Sequence, residues 1–240
     1  MKTVLRVESL LKSYVLPSQS TKSSGKNLGL ERLQVLRGVS FEVKAGERLA
    51  IMGRSGGGKS TLLGCLSGLD YGDSGTVEVL GRDLAKMSAS ELNEFRARSI
   101  GIVFQQFQLL DHFTALENVR LPLDLAAVGP AEADRRALEK LSRVGLEDRA
   151  DHFPDQMSRG ECQRVAIARV LAMDCPLIFA DEPTGSLDLK TGTSVMDLLF
   201  AATKEAGAAL VLVTHDPLLA KRCDRILSID EGLLHEGTLA

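Results

Sequence analysis

Apolar residues along this 240-residue chain fall into two textures. Four short unbroken runs, Leu49 to Met52, Ile100 to Phe104, Leu177 to Ala180 and Ala209 to Val213, read as strands buried on both faces. Between them, apolar positions three and four apart predict helices from about Leu62, Ser90 to Arg98 with a cap at Ser88 or Ser90, Glu161 to Met173, and Thr191 to Ala206. Val195, Leu198 and Leu199 form the core face of the last. Buried strands alternating with helices imply an α/β domain whose parallel sheet is covered on both sides.

Two regions depart from that alternation. Near the N-terminus, Thr3, Leu5 and Val7 face one way and Val4, Arg6 and Glu8 the other, as in a half-exposed strand. A second strand pair is expected around Val35-Leu36 and Val39 to Val43, broken at Arg37-Gly38, and Thr76 to Leu80 alternates again. Pro17 to Lys26 is rich in Ser, Lys and Gly and reads as a solvated loop. From Thr114 to Arg149, Leu116, Val119, Leu121, Ala137, Leu138, Leu141 and Val144 recur at helical spacing, which reads as an all-helical insert. Asp134, Arg135, Arg136, Glu139 and Lys140 would be its solvated face. The expected organisation is one domain over 1–240, with a core from 1–113 and 155–240 and a helical subdomain at about 114–154.

The first buried run leads into Gly53-Arg54-Ser55-Gly56-Gly57-Gly58-Lys59-Ser60-Thr61 and then a helical stretch. Strand, glycine-rich turn, helix is the context that makes this spacing a phosphate-binding loop. Glycines let the backbone aim successive N–H groups at phosphate oxygens, and the helix N-terminus adds partial positive charge. Lys59 would reach the β- and γ-phosphates, and the Ser60 hydroxyl would join a Mg²⁺ shell. The run Leu177 to Ala180 delivers Asp181 and Glu182 at a strand's carboxyl end, where open α/β sheets place ligands. Asp181 would hold the metal, while Glu182 would point elsewhere and orient or deprotonate the attacking water.

Composition narrows the classes. A net charge of −3 argues against a general nucleic-acid binder. Cys65, Cys162, Cys175 and Cys223 are widely spaced with no paired motif, so a reducing compartment is the simpler reading than zinc or disulfides. No window approaches the ~20 apolar residues of a membrane span, so any membrane role must come through a partner.

Taken together, Gly53 to Thr61, Gln105, Ser158-Arg159-Gly160-Glu161, Asp181-Glu182, Ser186-Leu187-Asp188 and His215 resemble the ordered motif set of an ABC-transporter ATPase, over nearly the whole chain. Leu116-Glu117-Asn118-Val119 and Arg222-Cys223-Asp224-Arg225 add a resemblance to the lipoprotein-releasing and macrolide-efflux branch, closest to YbbA-type subunits. The resemblance implies a P-loop NTPase fold with a mostly parallel core sheet, an antiparallel N-terminal β subdomain and an α-helical insert. It further implies Tyr14 as the platform for adenine, Gln105 (with Gln106 the alternative) in the metal shell, and His215 at the γ-phosphate. Ser158, Gly160 and Glu161 would close on ATP held by a second copy of the chain. Two copies would sandwich two MgATP and drive a separate integral membrane permease from the cytoplasmic face, exporting or extracting lipid-like cargo or small molecules.

The chain departs from the family at Arg159, where a glycine is usual, and less so at Cys162. Arg159 is harmless if its side chain projects outward and damaging if the position needs φ > 0. It motivates an alternative reading: an ATP-gated dimerising scaffold for a membrane protein, with slow or no turnover and no transport.

Overall fold

The computed structural model describes residues 2–15, 32–54 and 56–237; the loop expected from Pro17 to Lys26 and the P-loop residue Ser55 lie outside them. The first strand, β1 (Thr3–Val15), pairs antiparallel with β2 (Arg32–Lys44). The break expected at Arg37-Gly38 is a bulge within one continuous strand. Leu10 faces Val39 and Leu11 faces Arg37, which leaves Gly38 unpaired at φ +85°, a conformation that costs glycine little. The next elements are β3 (Arg48–Met52), α1 (Lys59–Leu66), β4 (Ser74–Val79) and β5 (Arg82–Asp83). Strands β2, β1, β4 and β5 form a four-stranded antiparallel sheet in that order.

Helix α2 (Ala89–Ser99) starts at Ser88, whose hydroxyl and Glu91 form a reciprocal capping box, and leads into β6 (Ile100–Val103). A second capping box, Thr114 with Glu117, starts α3 (Ala115–Leu125), followed by α4 (Pro130–Arg143). Then come α5 (Arg159–Leu171), β7 (Leu177–Asp181), α6 (Leu189–Glu205), β8 (Ala209–Thr214), α7 (Pro217–Ala220), β9 (Arg225–Asp230) and β10 (Leu233–Glu236). The second sheet runs β10-β9-β3-β8-β7-β6, parallel throughout except for β10 at its edge.

Period-two alternation splits this sheet between two cores. Ala209, Val211 and Val213 pack with Leu62 and Leu66 of α1 and with Leu5, Leu10 and Leu36 of the antiparallel sheet. Leu210 and Leu212 pack with Val165 and Ile167 of α5, Val195 and Leu199 of α6, and Val119 and Leu141 of α3 and α4. Fully burying a Leu or Val side chain contributes roughly 1.5–3 kcal/mol relative to exposure, so these two layers dominate the stability.

Several expectations change. Helix α5 begins at Arg159, two residues before Glu161, because Ser158 caps it. Strands β9 and β10 were not legible: in Arg225 to Asp230 the apolar Ile226, Leu227 and Ile229 are broken by Ser228 and flanked by charges, and its parallel pairing to β3 is long-range. Leu138 is 44% exposed, not in the core. Conversely, Lys140 of the supposed solvated face is 8% exposed, with Nζ 3.2 Å from Asp174, and Arg136 donates to the Ala172 carbonyl and Asp174. These two cations fasten α4 to the turn after α5. No helix among the described residues is long and apolar enough to cross a membrane.

Candidate active site

Because β3, β8, β7 and β6 are neighbours and parallel, their carboxyl ends bring four loops to one edge of the sheet. Those loops carry Gly53 to Thr61, His215, Asp181-Glu182 and Gln105 respectively. A parallel sheet can converge residues from distant parts of the chain in this way because every strand exits on the same side.

In the loop after β3, a Cβ on Gly53 would stand 2.5 Å from the Ile229 carbonyl oxygen of β9. Gly58 caps α1 at φ +94° with its own Cβ position 3.1 Å from the Val35 carbonyl. Both glycines are therefore required, one by close approach and one by conformation. Gly56 is also left-handed, and Gly57 donates its N–H to the Arg54 carbonyl at 3.1 Å. Lys59 is buried, and its ammonium donates to the carbonyls of Gly53 and Arg54, each at 2.9 Å. The lysine thus draws the loop closed on itself.

Lys59 Nζ also lies 3.7 Å from Glu182 Oε1, and Glu182 Oε2 lies 3.2 Å from His215 Nδ1. Glu182 holds a left-handed backbone at φ 42°, pinned by its N–H to the Val213 carbonyl at 2.9 Å. A non-glycine residue in that region is strained, and from it the Glu182 carboxylate reaches the lysine and the histidine. Burial raises the Asp181 carboxyl above the usual Asp value, the negative charge of Glu182 pushes it the same way, and a hydrogen bond with Ser60 and the charge of Lys59 oppose this.

A partly buried carboxylate beside a hydroxyl is an oxygen donor set suited to a hard divalent cation. That chemistry fits Mg²⁺ held by Ser60 and Asp181. Gln105 is exposed, and its amide nitrogen sits 2.6 Å from where a Cβ on Gly185 would be. It lies against the loop that follows Glu182, and Ser186 Oγ donates to its carbonyl at 3.3 Å.

A cavity of about 620 Å³ opens between Met52, Gly53, Arg54 and His215 on one side and Ser228 and Asp230 of β9 on the other. A smaller one, about 320 Å³, lies between Glu182, Asp188, Thr214 and His215. The β9 wall of the first escaped sequence reasoning together with the strand itself.

The family model described as ABC transporter matches residues 36–185, well over half of the chain. The chain belongs to the ABC transporter family. This ABC ATPase is 47% identical over 215 residues to the uncharacterized ABC transporter ATP-binding protein YbbA of Escherichia coli strain K12, covering 90% of this chain and 93% of that one. It is 48% identical over 204 residues to the lipoprotein-releasing system ATP-binding protein LolD of Treponema pallidum, covering 85% and 90%. A dimeric structure of MJ0796, a bacterial ABC transporter cassette, superposes with a TM-score of 0.85 at 39% identity, covering 98% of this chain and 99% of that one. A dimeric post-hydrolysis state of MJ0796 bound to ADP and Pi gives 0.84.

The remaining sequence-predicted residues of the ATPase take these positions. Tyr14 is 41% exposed at the end of β1. Its hydroxyl donates to Asp70 Oδ2 at 2.9 Å, and Lys12 Nζ lies 5.0 Å from its ring centroid. Burial and the hydrogen bond to Asp70 raise the Tyr14 phenol above its usual value, and Thr61, directly after Ser60, opposes this. Ser158 and Glu161 satisfy each other: the Glu161 carboxylate accepts from the Ser158 N–H at 2.8 Å and its hydroxyl at 2.7 Å. The backbone hydrogen bond from Ser158, followed by the hydroxyl, holds the Glu161 carboxyl below its usual range. That carboxylate is committed to capping α5, and the Glu161 N–H donates in turn to the Ser158 hydroxyl oxygen at 3.3 Å. Gly160 is buried, and a Cβ there would meet Thr191 Cγ2 at 2.4 Å. Arg159 takes the first helical position and projects outward, with Nη1 3.5 Å from the Ser186 carbonyl. It is absent from the left-handed residues, so the position does not demand glycine.

Proposed function

We propose that this ATPase binds MgATP between the Gly53–Thr61 loop and Asp181, and that Glu182 activates the attacking water. The observation that carries the reading is the Lys59–Glu182–His215 chain of contacts, 3.7 and 3.2 Å, beside the Asp181–Ser60 pair. Lys59 exchanges its two carbonyl acceptors for phosphate oxygens, which exposes the loop's N–H groups to the same ligand. Ser60 and Asp181, joined by Gln105, hold Mg²⁺, which when bound neutralises charge on the phosphates. Glu182 accepts the water proton, and His215, with Nδ1 3.2 Å from Glu182, fixes the carboxylate and reaches the transferred phosphate. Tyr14, partly exposed, offers a ring face to adenine.

The reading extends to assembly. Two copies pack head to tail, each presenting Ser158, Gly160 and the N-terminus of α5 to the nucleotide of the other, and the dimeric MJ0796 cassettes support this arrangement. ATP favours the closed dimer because only that state contacts it from both sides, and a ligand shifts an equilibrium only by such differential affinity. Opening after hydrolysis moves a membrane permease docked on Gln105 and the helices at 114–154. The lipoprotein-releasing relatives support lipid-like cargo that is extracted or exported. That Arg159 needs no glycine backbone supports hydrolysis over the non-hydrolysing scaffold.

ATPase rates of wild type, Glu182→Gln and Arg159→Gly test the core of this. Wild type is expected to exceed Glu182→Gln by 10²–10⁴-fold, the usual contribution of a general base. Equal rates would refute it. Co-purification in detergent identifies the permease.

A further inference from the structure

The loop after β6 contains two consecutive non-glycine residues in the left-handed region, Phe107 at φ 50° and Gln108 at φ 53°. Two such residues in a row are costly, and they persist only where the surroundings impose them. Within the turn the Gln108 N–H donates to the Gln106 carbonyl, and from outside it one side chain grips both strained residues. Arg169, near the end of α5, donates from Nη2 to the Phe107 carbonyl at 2.9 Å and from Nη1 to the Gln108 carbonyl at 2.6 Å. Among the described residues no carboxylate pairs with Arg169, and burial lowers its pKa from the ordinary arginine value with no opposing charge. A guanidinium withdrawn from water without a counter-ion is expensive unless its donors are used, and both observed bonds go to this turn.

Helix α5 grips the same loop at its other end. Gln163, fully buried, donates from Nε2 to the Phe104 carbonyl at 3.4 Å, directly before Gln105. The helix lies flush on β6: a Cβ at Gly101 would stand 2.3 Å from Val170 Cγ1. Residues 104–108 are therefore strapped at both ends to the helix whose first turn carries Ser158 and Gly160.

We infer that Arg169 is a positioning residue for Gln105: its fork holds the strained Phe107–Gln108 turn, and through it fixes where the Gln105 side chain stands relative to the nucleotide site. Displacement of α5 at its Ser158 end would be transmitted to Gln105 as a rigid-body shift. The inference rests on the proposed role of Gln105 at that site.

The test is a double-mutant cycle on the full-length chain, reading kcat and KM for MgATP. Arg169→Met and Gln105→Ala are each expected to lower kcat about tenfold with KM changed less than about threefold, and the double variant to fall no further, because residues acting as one unit are non-additive. Arg169→Lys, which keeps the charge but not the fork, should recover only part of the loss. If Gln105→Ala retains wild-type kcat, the reading of Gln105 fails and takes the inference with it. If Gln105→Ala is impaired while Arg169→Met is not, or if the two losses multiply, that reading stands and the inference alone is overturned. Amide hydrogen exchange provides a readout independent of turnover, also available in Arg169→Lys should the Met variant not fold. Exchange across 104–109 should accelerate at least about tenfold while β7 and β8 stay within twofold of wild type, and unchanged exchange across 104–109 would equally overturn it.

Discussion

On the outer face of α4, charges find partners one turn away: Arg135 pairs with Glu132 at 2.7 Å and with Glu139 at 3.5 Å, all largely in water. At the carboxyl edge of the parallel sheet the same residue types are arranged differently. Lys59 is buried against two carbonyls, Glu182 sits on a strained backbone, and Asp181 is pushed toward its neutral form by burial. The helical charges are solvated and nearly free of consequence. The left-handed backbone of Glu182 and the burial of Asp181 cost folding free energy, which supports the proposal that these groups are kept for a ligand.

Substitutions should divide along this line. The largest effect is expected for Glu182→Gln, a 10²–10⁴-fold loss of ATPase rate with nucleotide binding retained. A comparable loss is expected for Lys59→Ala, but there through weakened binding, and titration with a fluorescent ATP analogue distinguishes the two.

Asp181→Asn should abolish Mg²⁺-dependent turnover and yet stabilise the chain. A gain of about 1 kcal/mol would raise Tm by roughly 2–4 °C for a domain of this size. The pH dependence has a definite sign. A carboxyl whose pKa is raised on folding binds its proton more tightly in the folded state. Its contribution therefore favours folding at low pH and is lost as pH rises through the folded pKa, in the window above the usual Asp value of about 4. Scanning calorimetry across that window should show the Tm difference between Asp181→Asn and wild type widening as pH rises. A variant less stable than wild type at neutral pH would break the comparison.

Ser158→Ala removes the hydroxyl cap of α5 at a cost of about 1 kcal/mol, again roughly 2–4 °C. The smallest effect belongs to the helices: Arg135→Ala should leave Tm within about 1 °C and the ATPase rate unchanged, since exposed ion pairs contribute little. A larger drop would mean that the outer face of α4 is not simply solvated, as Lys140 and Arg136 already are not.

The sequence by itself determined the β3–P-loop–α1 unit, the strand that delivers Asp181 and Glu182, and the Ser88 cap of α2. Each rests on local chemistry: an unbroken apolar run, glycines at fixed spacing, a Ser just ahead of a helical pattern. The family could be read from the same short phrases. Only the tertiary structure decided that β2 is one strand with a bulge at Gly38, that Arg225 to Asp230 pairs with β3 and closes on Gly53, and that Arg136 and Lys140 are fastened to Asp174. It also decided that Arg159 needs no glycine backbone and that Arg169 clasps the Gln105 loop. Arg159 is decided by the helical backbone that the adjacent Ser158 cap starts, and the other four share one reason. Each depends on what a distant segment places beside the residue, and neither periodicity nor spacing along the chain carries that information.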